Sequence, residues 1–250
     1  MSFPTIRVFD SPGPAVRELA REVGELIRSR AAVGRQAVLG LATGNTPRPF
    51  YQELGRLHRE EGLSFANVIS FNLDEYLGLA DAHPESYRSF MHRELFEHID
   101  LPAQNINLLS GSLPEADIPA HCAAYESSIR AAGGLDFQLL GIGSNGHIGF
   151  NEPGSSKDSR TRLIHLDRLT RRDAAASFGG LDQVPSQAIT MGCGTILEAR
   201  RIALLVWSEK KAAIVRDAIR GPVTNQVCAS FLQEHPNTEF YLDREAAAAL

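Results

Sequence analysis

Cysteine is scarce and scattered in this chain. Cys122, Cys193 and Cys228 are the only three in 250 residues, an odd, widely spaced set that fits neither a disulfide framework nor a Cys-x-x-Cys zinc site. Reduced, mostly buried thiols are expected. Long apolar runs are missing too: no stretch approaches the roughly 18 consecutive apolar residues of a membrane span. The opening Met1-Ser-Phe-Pro-Thr-Ile-Arg7 lacks the basic region and apolar core of a signal peptide, so a cytoplasmic protein away from membranes is expected. Nor is there an excess of positive charge. The formal net charge of −5 argues against nucleic acid or an anionic membrane as the main partner, while leaving room for a local cationic pocket. The eight histidines show no ligand spacing, and no metal site is expected. No internal repeat, low-complexity linker or long charge run divides the chain. Ser110–Glu115 and Gly179–Pro185 read as ordinary connections.

What is there is strand-helix alternation. With 43% hydrophobic residues the chain can bury a substantial core, and residues 1–250 are read as a single domain. Val16, Leu19, Ala20, Val23, Leu26 and Ile27 recur at helical spacing behind Ser11 and Pro12, which act as opening signals. Further helices are expected at Pro47–Glu61, Ser86–Ile99, Ala116–Ala132, Ser208–Arg220 and about Asn225–Gln233. Strands are expected at Gln36–Ala42, Asn67–Leu73, near Asn105–Leu109, Asp136–Leu140, Leu163–Leu166, Ala188–Met191, Arg201–Trp207 and Glu239–Leu242. The pattern predicts an α/β three-layer fold with a mainly parallel, Rossmann-like sheet. Ala246-Ala-Ala-Ala-Leu250 reads as a helix end or a frayed tail.

Three strand ends gather chemistry. After Asp136–Leu140 comes a loop with five glycines, Gly141-Ile-Gly-Ser-Asn-Gly-His147-Ile-Gly-Phe-Asn-Glu152-Pro-Gly154. In open α/β sheets ligands sit beyond the carboxyl ends of strands. An imidazole there can take and give a proton near neutrality, with a carboxylate such as Glu152 to orient it. The second strand, Asn67–Leu73, runs directly into Asp74-Glu75-Tyr76. Asp74, held by the strand, suits a base that must reach a carbon-bound proton. The third, Gln36–Ala42, leads through Thr43-Gly-Asn-Thr46 into a helix opened by Pro47. Such a turn combines free amides with the positive end of a helix dipole, and a phosphate is the expected guest. Each segment also has a plainer reading: a glycine-rich turn with an incidental histidine, solvated acids, an ordinary strand-helix turn.

Together these segments resemble the glucosamine-6-phosphate deaminase (glucosamine-6-phosphate isomerase) family. The carrying residues are Leu39-Gly-Leu-Ala-Thr-Gly-Asn-Thr-Pro47, Ser70-Phe-Asn-Leu-Asp-Glu-Tyr76, Gly141 through Gly154, Ser159-Arg-Thr-Arg162 and Val184-Pro-Ser-Gln-Ala-Ile-Thr-Met-Gly192. The resemblance implies conversion of D-glucosamine 6-phosphate and water to D-fructose 6-phosphate and ammonia, with neither metal nor organic cofactor. It makes Asp74 the base that moves the C2 proton toward C1, and His147 the group that assists ring opening. Glu152 and Asn145 are its partners; with an amide at Asn145, Glu152 is expected to polarise the ring most. Thr43, Gly44, Asn45 and Thr46 would surround the phosphate, and Lys211, rather than Lys210, would add a cation. An arginine that the family often carries is missing from Ala174-Ala-Ala-Ser-Phe178, and Arg171 or Arg172 is expected to stand in for it. Members activated by N-acetylglucosamine 6-phosphate carry an Arg-x-Lys pair where this chain reads Arg162-Leu163-Ile164. With that lysine gone and little chain beyond the last strand, hyperbolic kinetics without activation are expected.

Two other functions stay open at this stage. One is a sugar-phosphate lactonase of the 6-phosphogluconolactonase type, against which Phe150-Asn-Glu-Pro153 argues. The other is a catalytically inactive sugar-phosphate-binding regulator. The expected partner is a small amino-sugar phosphate; a homo-oligomer is allowed, and neither the sugar epimer nor the favoured direction is fixed.

Overall fold

The computed structural model describes residues 4–250; Met1–Phe3, part of the stretch read as lacking a signal peptide, lie outside the described residues. In chain order the elements are β1 (Thr5–Phe9), α1 (Pro12–Ala32), β2 (Ala37–Leu41), α2 (Arg48–Glu61), β3 (Val68–Asn72), β4 (Asp74–Tyr76), α3 (Tyr87–Glu94), β5 (Ile106–Asn107) and α4 (Ile118–Ala131). They continue with β6 (Phe137–Leu140), β7 (Arg162–His165), α5 (Arg168–Phe178), β8 (Gln187–Thr190), α6 (Cys193–Leu197), β9 (Ile202–Val206), α7 (Ala212–Arg220) and β10 (Thr238–Asp243). Seven strands form one sheet in the order β1-β10-β9-β6-β2-β3-β5, with every pair parallel. This is the α/β, Rossmann-like architecture with a mainly parallel sheet.

The reason lies in the side chains. β2, β6 and β9 are buried at every position, as strands covered on both faces must be. Helix α1 turns Val16, Leu19, Ala20, Val23 and Ile27 onto the sheet, and each large side chain so buried contributes about 1.5–3 kcal/mol relative to exposure. Side-chain caps set two helix starts: the Ser86 hydroxyl accepts from the Ser89 amide at 3.1 Å, and the Asp167 carboxylate from the Leu169 amide at 2.7 Å.

Several expectations need correction. Leu163–Leu166 and Ala188–Met191 contain strands, but these do not extend the large sheet. β7 and β8 pair antiparallel with each other, and β8 pairs antiparallel with β4, so Asp74–Tyr76 is itself a strand. Edge strand β1 was not anticipated; with Val8 51% exposed its apolar signal is weak. Residues Asn225–Gln233 do not form an α-helix. Only a 3-10 turn at Cys228–Glu234 exists, because the Ser230 hydroxyl bonds both the carbonyl and the amide of Thr224 and competes with the helical ladder. Similarly, Phe96–His98 and Glu209–Lys211 are 3-10 segments outside α3 and α7. The C-terminal alanines make hydrogen-bonded turns, with Ala246 fully buried. Among the described residues no helix is long and apolar enough to cross a membrane, and no three His, Cys, Asp or Glu side chains are grouped to hold a metal ion.

Candidate active site

Strand order explains where the cleft opens. From β2 the chain proceeds outward through β3 to β5, whereas β6, β9 and β10 lie on the other side. β2 and β6 are neighbours at this switch, and their carboxyl ends diverge into a crevice. A cavity of about 150 Å³ occupies it, lined by the Thr43–Thr46 turn, Asp74, Gly141 and His147.

Asp74 sits where the two sheets meet. The Leu73 amide donates to the Leu41 carbonyl at 3.0 Å, and the Leu73 carbonyl accepts from the Met191 amide at 2.7 Å. One residue later the chain pairs with Thr190 in the small sheet. The Asp74 side chain is therefore aimed by both sheets. It is only 6% exposed, and its carboxylate meets no hydrogen-bond donor among the described residues. Burial, with the nearby Glu75 charge adding, pushes its pKa well above the ordinary carboxylate range. The Gly141–Gly154 loop passes close by. A Cβ at Gly149 would stand 2.9 Å from Thr190 Oγ1 and 3.5 Å from Asp74 Oδ2, on backbone of φ 55° that favours glycine.

Glu75, the adjacent acid, does something different. It accepts from the amides of Tyr76, Tyr87 and Arg88, each at 2.9 Å, and so fastens the first turn of α3. Burial raises its pKa and those three amides oppose the rise.

His147 is held by a relay. Its Nδ1 lies 2.7 Å from Asn145 Oδ1, 3.4 Å from Glu152 Oε2 and 3.4 Å from the Thr170 hydroxyl. The Asn145 amide donates to Glu152 Oε2 at 2.7 Å. A carboxylate only accepts, so the amide turns its N–H to Glu152 and its carbonyl to the ring. That carbonyl can only accept, which puts the ring proton on Nδ1. Nε2, with no protein partner among the described residues, is left with its lone pair. The amide is thus the nearest hydrogen-bond partner of Nδ1, with the Glu152 charge just beyond it. Behind the ring is Gly143, where a Cβ would come within 2.1 Å of Cε1. Burial works to raise the Glu152 pKa, but His147, Thr170 and Asn145 outweigh it and bring it down to about 2. Its other oxygen accepts from the Asp167 amide at 3.1 Å.

Opposite lies the turn. Among the described residues no backbone hydrogen bond is made by the amides of Thr43, Gly44, Asn45 or Thr46, and α2 begins immediately behind them. The Trp207 indole donates to the Thr46 carbonyl at 3.3 Å, and the Tyr51 hydroxyl donates to the Ala42 carbonyl. Four free donors are thereby held at the positive end of a helix.

A family model described as glucosamine-6-phosphate isomerases/6-phosphogluconolactonase matches residues 10–240. The chain belongs to this family. It is 46% identical over 237 residues to a glucosamine-6-phosphate deaminase of Arthrobacter sp. (strain FB24), covering 95% of this chain and 90% of that protein. A solved monomeric glucosamine-6-phosphate deaminase superposes with a TM-score of 0.93 at 40% identity, covering 98% of this chain and all of that one. A 6-phosphogluconolactonase from Trypanosoma brucei shares the fold, with a TM-score of 0.79 at 23% identity over all of both chains.

Within this family frame, the cations divide. Lys211 is half-buried and donates from Nζ to the Ile142 carbonyl and the Ser144 hydroxyl, both at 3.1 Å, on the Gly141–Ser144 wall. Burial lowers its pKa, and Asp173 opposes that. Lys210 points to solvent. Neither Arg171 nor Arg172 reaches the cavity, which corrects the expectation for both. Arg171 donates to the carbonyls of Leu181 and Val184, tying down the turn after α5, and Arg172 is exposed. Residues not singled out also border the cleft. Tyr87 and Phe150 line it and stack with centroids 5.8 Å apart, and Trp207 holds the turn. Nothing in their spacing marks them; Tyr87 had a signal only in lying close behind the Asp-Glu-Tyr string.

Proposed function

We propose that the chain converts D-glucosamine 6-phosphate and water to D-fructose 6-phosphate and ammonia. The observation that carries the reading is an unpaired buried carboxylate and an imidazole lone pair facing one cavity whose opposite wall is a turn of free amides. The amides of Thr43, Gly44, Asn45 and Thr46, with Lys211, hold the phosphate. His147 Nε2 takes the proton of the anomeric hydroxyl and returns it to the ring oxygen, opening the pyranose. The transient imidazolium is stabilised by the Asn145 carbonyl and the permanently ionised Glu152. Asp74 then removes the C2 proton from the open aldehyde and delivers it to C1, while one proton of the substrate's ammonium passes to O1. This turns C1 into a CH2OH group and C2 into a protonated imine. Water adds to that imine, and loss of ammonia leaves the ketone. A carboxylate of raised pKa is a stronger base for a carbon acid.

In this reading residues 1–250 work as one domain in the cytoplasm on a small amino-sugar phosphate, with no resident metal or organic cofactor. The lactonase alternative finds support only in shared fold, and an inactive regulator would have no use for a base held unpaired. The deciding assay follows ammonia and ketose phosphate from glucosamine 6-phosphate and galactosamine 6-phosphate in parallel, beside loss of 6-phosphogluconolactone. Ammonia from the gluco epimer is expected. Lactone loss alone, or binding without turnover, would overturn the reading.

A further inference from the structure

A second cavity, of about 180 Å³, adjoins the first and shares Gly44, Asn45 and Tyr87 with it. On one wall stand Asp173, Ala174, Ser177 and Phe178 of α5; Ala174 and Ser177 are small, and none of the helix's three arginines lines this cavity. On the other wall is Arg48, the first residue of α2, directly behind the amide turn. Its guanidinium carbon lies 5.3 Å from the centre of the Phe90 ring, which holds the fork flat without using its N–H groups. Its Nε is buried with no hydrogen-bond partner. The nearest acid, Glu94, is 3.6 Å from that Nε, too far for a hydrogen bond. Glu94 is also bonded to Arg93 Nε at 3.1 Å. Glu85, Arg93 and Asp173 face the same cavity, but none pairs with Arg48 among the described residues. A planar fork that is loosely ion-paired with Glu94 but makes no hydrogen bond of its own among the described residues, beside four free amides, is an anion-binding arrangement.

We infer that Arg48 is the specificity-determining cation for the substrate phosphate, reaching the turn from the α3–α5 side while Lys211 approaches from the Gly141–Ser144 side. The inference rests on the deaminase reading for the identity of the sugar, though not for the anion. Arg48 acts on binding and not on proton transfer, since Asp74 and His147 lie in the other cavity. Loss of a charge-assisted, two-pronged contact weakens binding by about tenfold to a hundredfold.

The test measures steady-state kinetics with glucosamine 6-phosphate, and the affinity for inorganic phosphate by calorimetry, in the parent, Arg48→Met and Arg48→Lys. In Arg48→Met, KM and the phosphate dissociation constant should each rise at least tenfold with kcat within threefold. Arg48→Lys, which keeps the charge and loses the fork, should fall between. Melting temperatures check folding, and Arg48→Lys decides the matter if the methionine variant fails to fold: its phosphate affinity should still drop at least threefold. Phosphate affinity and KM unchanged within threefold in a folded variant would overturn the inference. A parent that binds phosphate through Arg48 but releases no ammonia would instead sink the deaminase reading alone.

Discussion

Two buried carboxylates at the reaction cavity sit in opposite surroundings: Asp74 lines it, whereas Glu152 meets it only through His147. Asp74 emerges between two sheets with no donor to satisfy it, and burial drives its pKa up. Glu152, also buried, is met by His147 and by the Thr170 and Asn145 side chains, which outweigh burial and bring its pKa down to about 2. What separates them is the partners each one meets: none for the Asp74 carboxylate among the described residues, and the His147 ring with the Thr170 and Asn145 side chains for Glu152. The contrast also has a stability side: Asp74 costs the fold free energy whenever it is ionised, while Glu152 contributes it.

The largest effect should come from removing the Asp74 carboxylate. Asp74→Asn should lower turnover by roughly 10²–10⁴ with KM little changed; near-normal turnover would take Asp74 out of the mechanism. The same variant should melt at a higher temperature than the parent at neutral pH. The folded pKa of Asp74 is raised, so its penalty is absent below the unfolded value of about 3.9 and grows as pH climbs through the folded one. The difference in melting temperature should therefore close at low pH. An Asn variant that is less stable at pH 7 would show that Asp74 is paired after all.

Next in size is the histidine between the two acids. His147→Gln keeps an acceptor near the cavity but cannot shuttle a proton, and should cost about 10²-fold in turnover of the cyclic sugar. An open-chain analogue bypasses ring opening and should lose much less. Equal losses on both substrates would assign His147 to a different step.

Glu152→Gln should have a smaller catalytic effect, about tenfold, because the new side chain's carbonyl can still accept from the Asn145 amide and only the more distant charge is lost. Its clearer mark is on stability. The parent's Glu152 contributes on the order of 1–3 kcal/mol that is fully present above its ordinary pKa of 4.5 and lost as pH falls toward about 2. A melting-temperature series across that window should be steeper for the parent than for the variant. Parallel slopes would mean that Glu152 is not held at low pKa.

How much of this contrast is legible in the sequence depends on how local its causes are. Asp74 follows an apolar strand directly and His147 lies in the glycine-rich loop behind another, and a strand end is a local signal. The helix α1 and the buried strands β2, β6 and β9 likewise announce themselves by period and composition. The small antiparallel sheet is different. Its pairing joins Asp74 to Thr190 and Arg162 to Thr190, across more than a hundred residues in the first case, and nothing local in Ala188–Met191 states which sheet it will enter. Side-chain direction is equally hidden. That the Asn145 amide stands between ring and carboxylate, that Arg171 is consumed by two carbonyls, and that Glu75 caps α3 while Asp74 does not are outcomes of packing. A residue type at a spacing can suggest a role but cannot reveal which donors arrive from elsewhere.

The smallest expected effect tests whether the Glu152 side of the cavity can be moved from outside. Arg162 donates from its two terminal nitrogens to Asn151 Oδ1 at 2.8 Å and to the Ser155 hydroxyl at 2.9 Å, one residue before Glu152 and three after it. Its guanidinium is thus a brace for the Glu152 loop, committed to neutral acceptors within the fold. Two residues on, Ile164 is buried in the small cluster with Tyr76, Phe150 and Leu166 and itself offers an effector's phosphate no cation. An effector shifts activity only through a difference in its affinity for two states, typically about 1–3 kcal/mol, and a charged phosphate has little to gain here without displacing the brace. Glucosamine 6-phosphate should therefore saturate the enzyme hyperbolically, and N-acetylglucosamine 6-phosphate should change neither KM nor kcat beyond simple competition. A sigmoidal curve that the acetylated sugar makes hyperbolic would show instead that Arg162 can leave Asn151, and that the fixed charge at Glu152 is fixed in only one of two states.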